Sequence, residues 1–373
     1  MKVLLDLLYI MNEEPSGIKK YGFKLANDFK QYYNDVTVGV ICRSNMLPFI
    51  QGEIGKKYSY ILIDDDELKS LHNGYAKFRI KYSIKSLQIE SYTYVISTCA
   101  NYPVALFSPF VKHIGVVHDL QMLKLMWKNR NVLRSIYQFF DTRRRIRKLD
   151  YIITISNHTR LSVKRFAHRD SKVIYYALEP PTLNECKPNS FPFSNNETYI
   201  LDVNTFYKYK NADTLLKAFS KIHLKYPNYR LYFKGNYCKE YERLPLLAKK
   251  LGVTDKVHFD LNRLTEEEMS WLYTNASIFV TPSMMEGFGA TPIEAITHET
   301  PVISSNIDTL KEVVRDCAVY FSPKNVDELV YALEKEIEAP TSIDVIQNRK
   351  NFMLELYSRK TQVDNYYSFL KSL

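Results

Sequence analysis

Pro282-Ser283-Met284-Met285-Glu286-Gly287-Phe288-Gly289-Ala290-Thr291-Pro292-Ile293-Glu294 is the stretch from which the rest of the chain can be read. An apolar run, Ile278-Phe279-Val280, precedes it, and a helix-start pattern closes it. Strand, glycine turn and helix in that order bring backbone N–H groups and a helix N-terminus to one point, which suits an anion. Glu286 and Glu294 bracket the point. Glycine is scarce, 11 of 373 residues, against a usual share of about 7%. Two of them, Gly287 and Gly289, sit one residue apart, so the backbone there needs close approach or positive φ. Thr291-Pro292-Ile293-Glu294 also reads as a capping box with proline at the first helical position, in which Glu294 caps its own helix. Local chemistry leaves both readings open.

Length and composition frame this motif. A chain of 373 residues exceeds the size at which one core keeps growing, which predicts two domains. Hydrophobic content of 46% with 25% charged residues describes an ordinary globular protein. Val3 to Met11 is interrupted by Asp6 and is too short to span a bilayer, so it is expected to be a first buried strand. Five scattered cysteines without a CxxC argue against a disulfide framework or a zinc site and for a reducing cytosol. Charge is uneven. Residues 1–175 carry 28 Lys and Arg against 15 Asp and Glu, a net of +13, and residues 176–373 carry 23 against 26, a net of −3. One domain is therefore the candidate to meet a polyanion: nucleic acid, an anionic membrane surface or a phosphorylated acceptor.

Apolar strand-like runs alternate with helical patterns throughout, which predicts parallel sheets covered by helices. Strand candidates lie at 2–10, 35–42, 58–63, 93–98, 113–118, 151–155 and 172–176, then at 198–204, 229–235, 256–260, 277–281, 301–304 and 317–321. A Pro- and Asn-rich stretch between the two series, Pro180-Pro181 to Asn195-Asn196, reads as a linker. Thr265 to Glu268 forms a capping box, Asn211-Ala212-Asp213 opens another helix, and 342–372 is helical. Two doubly wound domains result, 1–185 and 195–355, with a terminal helix at 356–373 packing back towards the first.

Ligands of such sheets sit at the carboxyl ends of strands. Gly17 follows the first strand just before a helix. His118 ends the strand Val116-Val117, with Asp119 beside it. Thr205, Lys208 and Lys210 follow the second domain's first strand, where a lysine can neutralise a leaving pyrophosphate. Arg143 to Lys148 reads as a helix end whose cations complement the macrodipole. Residues 69–87 interleave Lys69, Lys77, Arg79, Lys81 and Lys85 with aromatic and aliphatic side chains. Such an element suits either an anionic leaflet or a buried helix face.

Together these residues resemble the retaining, nucleotide-sugar-dependent glycosyltransferases of family 4, which have the GT-B fold: two Rossmann-like domains facing across a cleft. The resemblance is carried by Glu286 and Glu294 in an E-x7-E arrangement, by Thr300 to Asn306, by Tyr199 to Phe219 with its Lys210-Asn211, and by His118-Asp119. It implies that Glu294 holds the ribose and that Glu286 contacts the donor sugar near the anomeric carbon. It implies that amides of Gly287, Phe288, Gly289 and Ala290 hold the sugar. Lys210, Gly17 and the helix start at Thr291 would face the pyrophosphate, and His118 the sugar. No metal or cofactor is implied, since the nucleotide sugar is itself a substrate. The acceptor would be a glycan or a lipid-linked saccharide, as in cell-surface polysaccharide assembly. The implied location is the cytoplasm, with peripheral contact at the inner face of the membrane through 69–87. Where many members carry an arginine, this chain has Asn204-Thr205, so Thr205, Lys208 or an arginine from elsewhere would complete the clamp. The Lys-Asn form leans towards GDP-mannose, with UDP-hexoses and dTDP-rhamnose open. Rival readings are a GT-B-type sugar-nucleotide epimerase, a glycoside hydrolase using Glu286 and Glu294, and a basic nucleic-acid-binding protein. No nucleic-acid module is recognisable, so nucleic acid is not an expected partner.

Overall fold

A computed structural model describes residues 1–14, 16–64, 89–99, 110–120, 132–182, 184–194 and 197–373. The basic segment 69–87 and the pair Asn195-Asn196 lie outside the described residues. The chain divides into two units, Met1–Ala177 with Arg359–Leu373, and Leu178–Ser358.

The first unit is built on strands β1 (Lys2–Asp6), β2 (Thr37–Arg43), β3 (Ser59–Ile63), β4 (Tyr94–Ser97), β5 (Lys112–Val117), β6 (Tyr151–Thr154) and β7 (Lys172–Val173). They form one sheet in the order β3-β2-β1-β4-β5-β6-β7. Every pairing described is parallel. Helices α1 (Gly17–Tyr32), α2 (Leu47–Ile54), α3 (Val132–Lys148) and α4 (Asn157–Ala167) connect them. Strand β4 is buried along its whole length, as a parallel strand covered on both faces must be. The sheet reverses direction of winding between β1 and β4, which makes their carboxyl ends the place for a ligand.

The second unit repeats the plan. Strands β8 (Thr198–Asn204), β9 (Tyr229–Gly235), β10 (Val257–Asp260), β11 (Ile278–Thr281), β12 (Val302–Ser305) and β13 (Val319–Phe321) lie in the order β10-β9-β8-β11-β12-β13. Around them run α5 (Ala212–Ile222), α6 (Arg243–Lys250), α7 (Glu266–Thr274), α8 (Ala290–Thr297), α9 (Asp308–Val314), α10 (Val326–Glu338) and α11 (Ile343–Leu356). Ile200, Phe206, Leu215, Phe219, Phe233 and Val280 anchor the core. Winding reverses between β8 and β11. Gly235 ends β9 where a Cβ would come within 2.0 Å of the Asn204 carbonyl, so only glycine lets β8 and β9 close there.

One expectation is corrected. The stretch read as a linker belongs to the second unit, and the division falls after Ala177. Phe191 packs on Tyr199, Tyr232 and Trp271 at ring separations of 5.2, 5.6 and 4.9 Å, with the Lys187 ammonium 5.1 Å over it. Those aromatic contacts outweigh the turn-forming composition around them. The terminal helical stretch is two helices, broken near Tyr357. The second, α12 (Arg359–Lys371), belongs to the first unit. There Tyr366 meets the Tyr21 hydroxyl at 2.5 Å, and Arg359 Nε donates to Asp28 at 2.7 Å.

Candidate functional site

In the second unit the residues converge at the carboxyl ends of β8 and β11, the point where winding reverses. After β11 the chain runs through Pro282 to Gly289 into α8. Gly289 takes φ +91°, and a Cβ there would lie 2.5 Å from Leu310 Cδ2 on α9. Both facts require glycine. Phe288 is buried with its ring edge on Tyr357 at 5.4 Å. The turn is pinned on the opposite side as well. Thr309 Oγ1 donates to the Glu286 carbonyl at 3.1 Å, Ser305 Oγ to the Ser283 carbonyl at 2.5 Å, and Met284 N to the Tyr209 carbonyl at 2.8 Å.

Helix α8 begins at Ala290, with Gly289 as its cap and no side-chain capping bond. The capping box expected at Thr291 to Glu294 therefore does not form. Thr291 and Pro292 are already inside the helix, because left-handed Gly289 turns the chain into it early. That frees Glu294. It accepts from the Tyr273 hydroxyl of α7 at 2.8 Å, and its carbonyl faces His298 Nδ1 at 2.7 Å. A carbonyl only accepts, so Nδ1 carries the proton and Nε2 accepts from Ser270 Oγ at 2.9 Å. Burial holds the His298 imidazole below its ordinary range.

Between β8 and α5 the chain presents Lys210, whose Nζ donates to both carboxylate oxygens of Glu286 at 2.7 and 2.9 Å. Both side chains are largely buried, at 17% and 11% exposure, so the pair is screened far less than a surface ion pair. Asn211 next to it takes φ +61°. In place of a capping bond to α5, its Nδ2 donates to the carbonyls of Pro282 and Pro323 at 2.9 and 2.6 Å. One asparagine thus locks the Lys210 loop to the Glu286 loop. Thr205 is half-buried and Lys208 exposed, the Lys208 backbone N–H donating to the Glu240 carboxylate. Arg243 braces the same loop, with Nη2 on Asp213 at 2.8 Å and Nη1 on the Phe206 carbonyl at 3.0 Å.

The sequence reading assigns no role to four residues here: Tyr273, His298, Asp202 and Asn204. His298 follows Glu294 by one helical turn, a spacing that could have flagged it. Asp202, at the end of β8, has 1% exposure and accepts from Asn204 Nδ2 at 2.5 Å. Burial pushes its carboxyl up to about 7. An acid inside an otherwise apolar strand-end was its signal.

The first unit has its own cluster at its own reversal point. Gly17 opens α1, capped by Ser16, whose Oγ accepts from Lys19 N at 3.3 Å. Lys19 turns inward, its Nζ reaching the Asn12 and Glu14 carbonyls at 2.7 and 2.6 Å, so it staples the loop. Beside Gly17 the space is open, nothing lying within 4 Å of an added Cβ. His118 follows β5, buried at 8% exposure, with Nε2 2.7 Å from the Thr98 carbonyl. Nε2 therefore carries the proton and Nδ1 is left as an acceptor. Tyr21 packs edge-on at 4.8 Å. Burial pushes the imidazole down to about 4, against the opposing pull of the Thr98 bond, so it is neutral at physiological pH.

Among the described residues no group of three or more His, Cys, Asp or Glu could hold a metal ion, and no helix is long and apolar enough to cross a membrane.

Residues 185–352 match the family model "Glycosyl transferases group 1". The chain is similar to the O-antigen chain mannosyltransferase RfbU of Salmonella typhimurium, 25% identical over 62% of this chain and 63% of that protein. The curated matches span only part of their relatives, 63% and 48% of the first two. Among solved structures, sucrose-phosphate synthase from Thermosynechococcus elongatus superposes with a TM-score of 0.72 at 16% identity, covering 100% of this chain and 98% of that one. Anabaena HepE in complex with UDP-glucose superposes with a TM-score of 0.71 at 15% identity, covering 100% of both chains. The fold is that of the GT-B glycosyltransferases.

Proposed function

We propose that this protein is a retaining glycosyltransferase that moves a hexosyl unit from a nucleotide sugar onto a glycan or lipid-linked saccharide. The observation that carries this reading is the Lys210–Glu286 pair at the glycine turn entering α8, within the segment that matches the glycosyl transferases group 1 model. Glu286 offers carboxylate oxygens to the sugar and to positive charge developing at its anomeric carbon. Lys210 and the amides of Gly287, Phe288, Gly289 and Ala290, with the first turn of α8 at Thr291, offset charge on the departing diphosphate. Glu294, tied to Tyr273 and not to its own helix, is oriented for the ribose hydroxyls. In the first unit, Gly17 leaves a helix N-terminus open to an anion, and His118 offers a neutral acceptor nitrogen to a sugar hydroxyl. Thr205 and Lys208 complete the phosphate contacts.

The acceptor oxygen forms its bond to the anomeric carbon on the face from which the phosphate oxygen leaves. That phosphate oxygen takes the acceptor's proton, so no separate carboxylate base is required. GDP-mannose heads the donor candidates, supported by the Lys210-Asn211 form and by similarity to an O-antigen mannosyltransferase. UDP-hexoses and dTDP-rhamnose follow. The protein would act in the cytoplasm, meeting the inner membrane surface through its basic segment 69–87. Flotation on liposomes with and without anionic lipid tests that contact, and indifference to lipid charge removes it.

The central test is nucleoside diphosphate release from GDP-mannose, UDP-glucose, UDP-galactose and dTDP-rhamnose with lipid-linked acceptors. One donor is expected to turn over, with the anomeric configuration of the product retained by NMR. No release from any of the four defeats the reading.

A further inference from the structure

Strand β8 ends in Asp202-Val203-Asn204, paired with Phe233-Lys234-Gly235 of β9. Asp202 is almost wholly enclosed, and Asn204 Nδ2 donates to its Oδ2 at 2.5 Å. The other half of that amide, Asn204 Oδ1, is buried and has no partner among the described residues. Buried polar atoms of native proteins are nearly always satisfied, so this one calls for an explanation.

The charged groups facing Asp202 come from several elements. Lys210, from the loop before α5, attracts the carboxylate, and Glu286, from the loop before α8, repels it. Tyr273 of α7 also lies close, its hydroxyl committed to Glu294 of α8. Lys210 is already bonded to both oxygens of Glu286. An arriving diphosphate competes for that ammonium and adds two negative charges beside two enclosed carboxylates. A solvated carboxylate would be screened; an enclosed one is relieved by binding a proton.

We propose that Asp202 is a proton-coupled positioning residue, which takes one proton from solvent onto its carboxylate when a diphosphate-bearing donor engages Lys210. The protonated acid then donates to Asn204 Oδ1 once a half-turn of the amide has exchanged the places of Oδ1 and Nδ2. The unliganded carboxyl, held near 7 by burial, is poised for this uptake.

The proposal rests on the nucleotide-sugar reading, and calorimetry separates the two. GDP-mannose, UDP-glucose, UDP-galactose and dTDP-rhamnose are titrated into the full chain in PIPES, HEPES and Tris. The phosphates of these probes are diesters with no proton to exchange near neutrality. Expected uptake is about half a proton per binding event at pH 7, rising towards one at pH 8, with affinity falling up to about tenfold per pH unit in that range. Asp202→Asn is expected to abolish both the uptake and the pH dependence while still binding. Binding without proton uptake in the unaltered protein overturns the proposal and leaves the functional reading standing. So does uptake that persists in Asp202→Asn. Should that variant fail to fold, the buffer series on the unaltered protein still decides the question. No binding of any of the four between pH 6 and 8 removes both.

Discussion

Among the polar groups buried where each sheet reverses, Asp6 and Asp202 included, one anchor in each unit differs in kind from the other. In the second unit the anchor is charged: the Lys210 ammonium sits between both oxygens of Glu286, held by loops that Asn211 ties together. In the first it is neutral: His118, enclosed and uncharged, donates from Nε2 to the Thr98 carbonyl and keeps Nδ1 as an acceptor. Fixed charge stabilises charge that develops during a reaction, whereas a neutral acceptor only sorts hydroxyls. Under the proposed function the contrast puts the chemistry in the second unit and recognition in the first. Net charge runs the other way, since the first 175 residues are the basic ones. Whole-domain charge therefore says little about where the reacting charges sit.

The sharpest way to break this contrast is to neutralise the charged anchor. Lys210→Met and Glu286→Gln are each expected to lower turnover about 10²- to 10³-fold, because a preorganised charge is lost in a site that excludes water. Steady-state rates at saturating donor measure it. His118→Asn should cost turnover far less and raise KM for the donor. If His118→Asn proves the more damaging to kcat, the assignment of roles is reversed.

Backbone at the charged anchor comes next. Gly289→Ala forces a side chain into φ +91° and against Leu310. A loss of stability of roughly 2–3 kcal/mol is expected, read as a lower denaturant midpoint. The equivalent change at Gly17, where nothing lies within 4 Å, should leave stability nearly unchanged. Equal losses at the two glycines would deny that the second turn alone is built under constraint.

The neutral anchor predicts a pH dependence. Burial lowers the His118 pKa from 6.5 to about 4 in the folded chain. Between those values the unfolded chain binds more protons, so the stability this group contributes is whole above pH 6.5 and is lost as pH falls towards 4. The loss is on the order of 1–2 kcal/mol after allowance for relaxation around the group. Buried Asp202 has the opposite sign. Its pKa is raised from 3.8 to about 7, so its contribution is whole at low pH and is lost as pH rises through 7. Denaturant midpoints from pH 4 to 8 should thus show His118→Asn flattening the acid limb and Asp202→Asn the neutral limb. A single limb affected by both variants would mean the two groups titrate as one.

The fold was legible because parallel strands buried on both faces are written as short apolar runs. Every strand described overlaps such a run, 198–204 and 229–235 coinciding with β8 and β9, although β1 stops at Asp6, short of the run to 10, and β7 at Val173, short of the run to 176. Glu286, Gly289 and Lys210 were legible for a similar reason, being local to strand ends. What failed were inferences about partners. Thr291 to Glu294 has the composition of a capping box, but composition cannot show that Gly289 takes a left-handed turn and starts the helix early. Asn211 does stand at the cap position of α5, but in place of a capping bond its amide serves two proline carbonyls distant in sequence. Asp202 faces Tyr273 and Glu286 from far along the chain, and Tyr273 bonds Glu294 on the next helix; no periodicity encodes those.

The smallest expected effect bears on that last failure. Tyr273→Phe removes one hydroxyl from Glu294 and leaves the ring stacked on His298 at 5.2 Å. The helix should hold, since Glu294 is not needed as its cap, and the His298 bond to the Glu294 carbonyl remains. What is lost is the orientation of a carboxylate that has to meet two ribose hydroxyls. One hydrogen bond to a charged group is worth about 1.5–3 kcal/mol when its partner is left without solvent, and about 1 when water replaces it. Glu294 is only half-buried, so the lower figure applies, and under the proposed function KM for the donor should rise about fivefold with kcat nearly constant. Glu294→Gln should raise it further, since the acceptor itself is changed. A Tyr273→Phe variant that loses kcat and not affinity would place Glu294 among the groups that act on the reacting carbon, and would extend the charged anchor along α8.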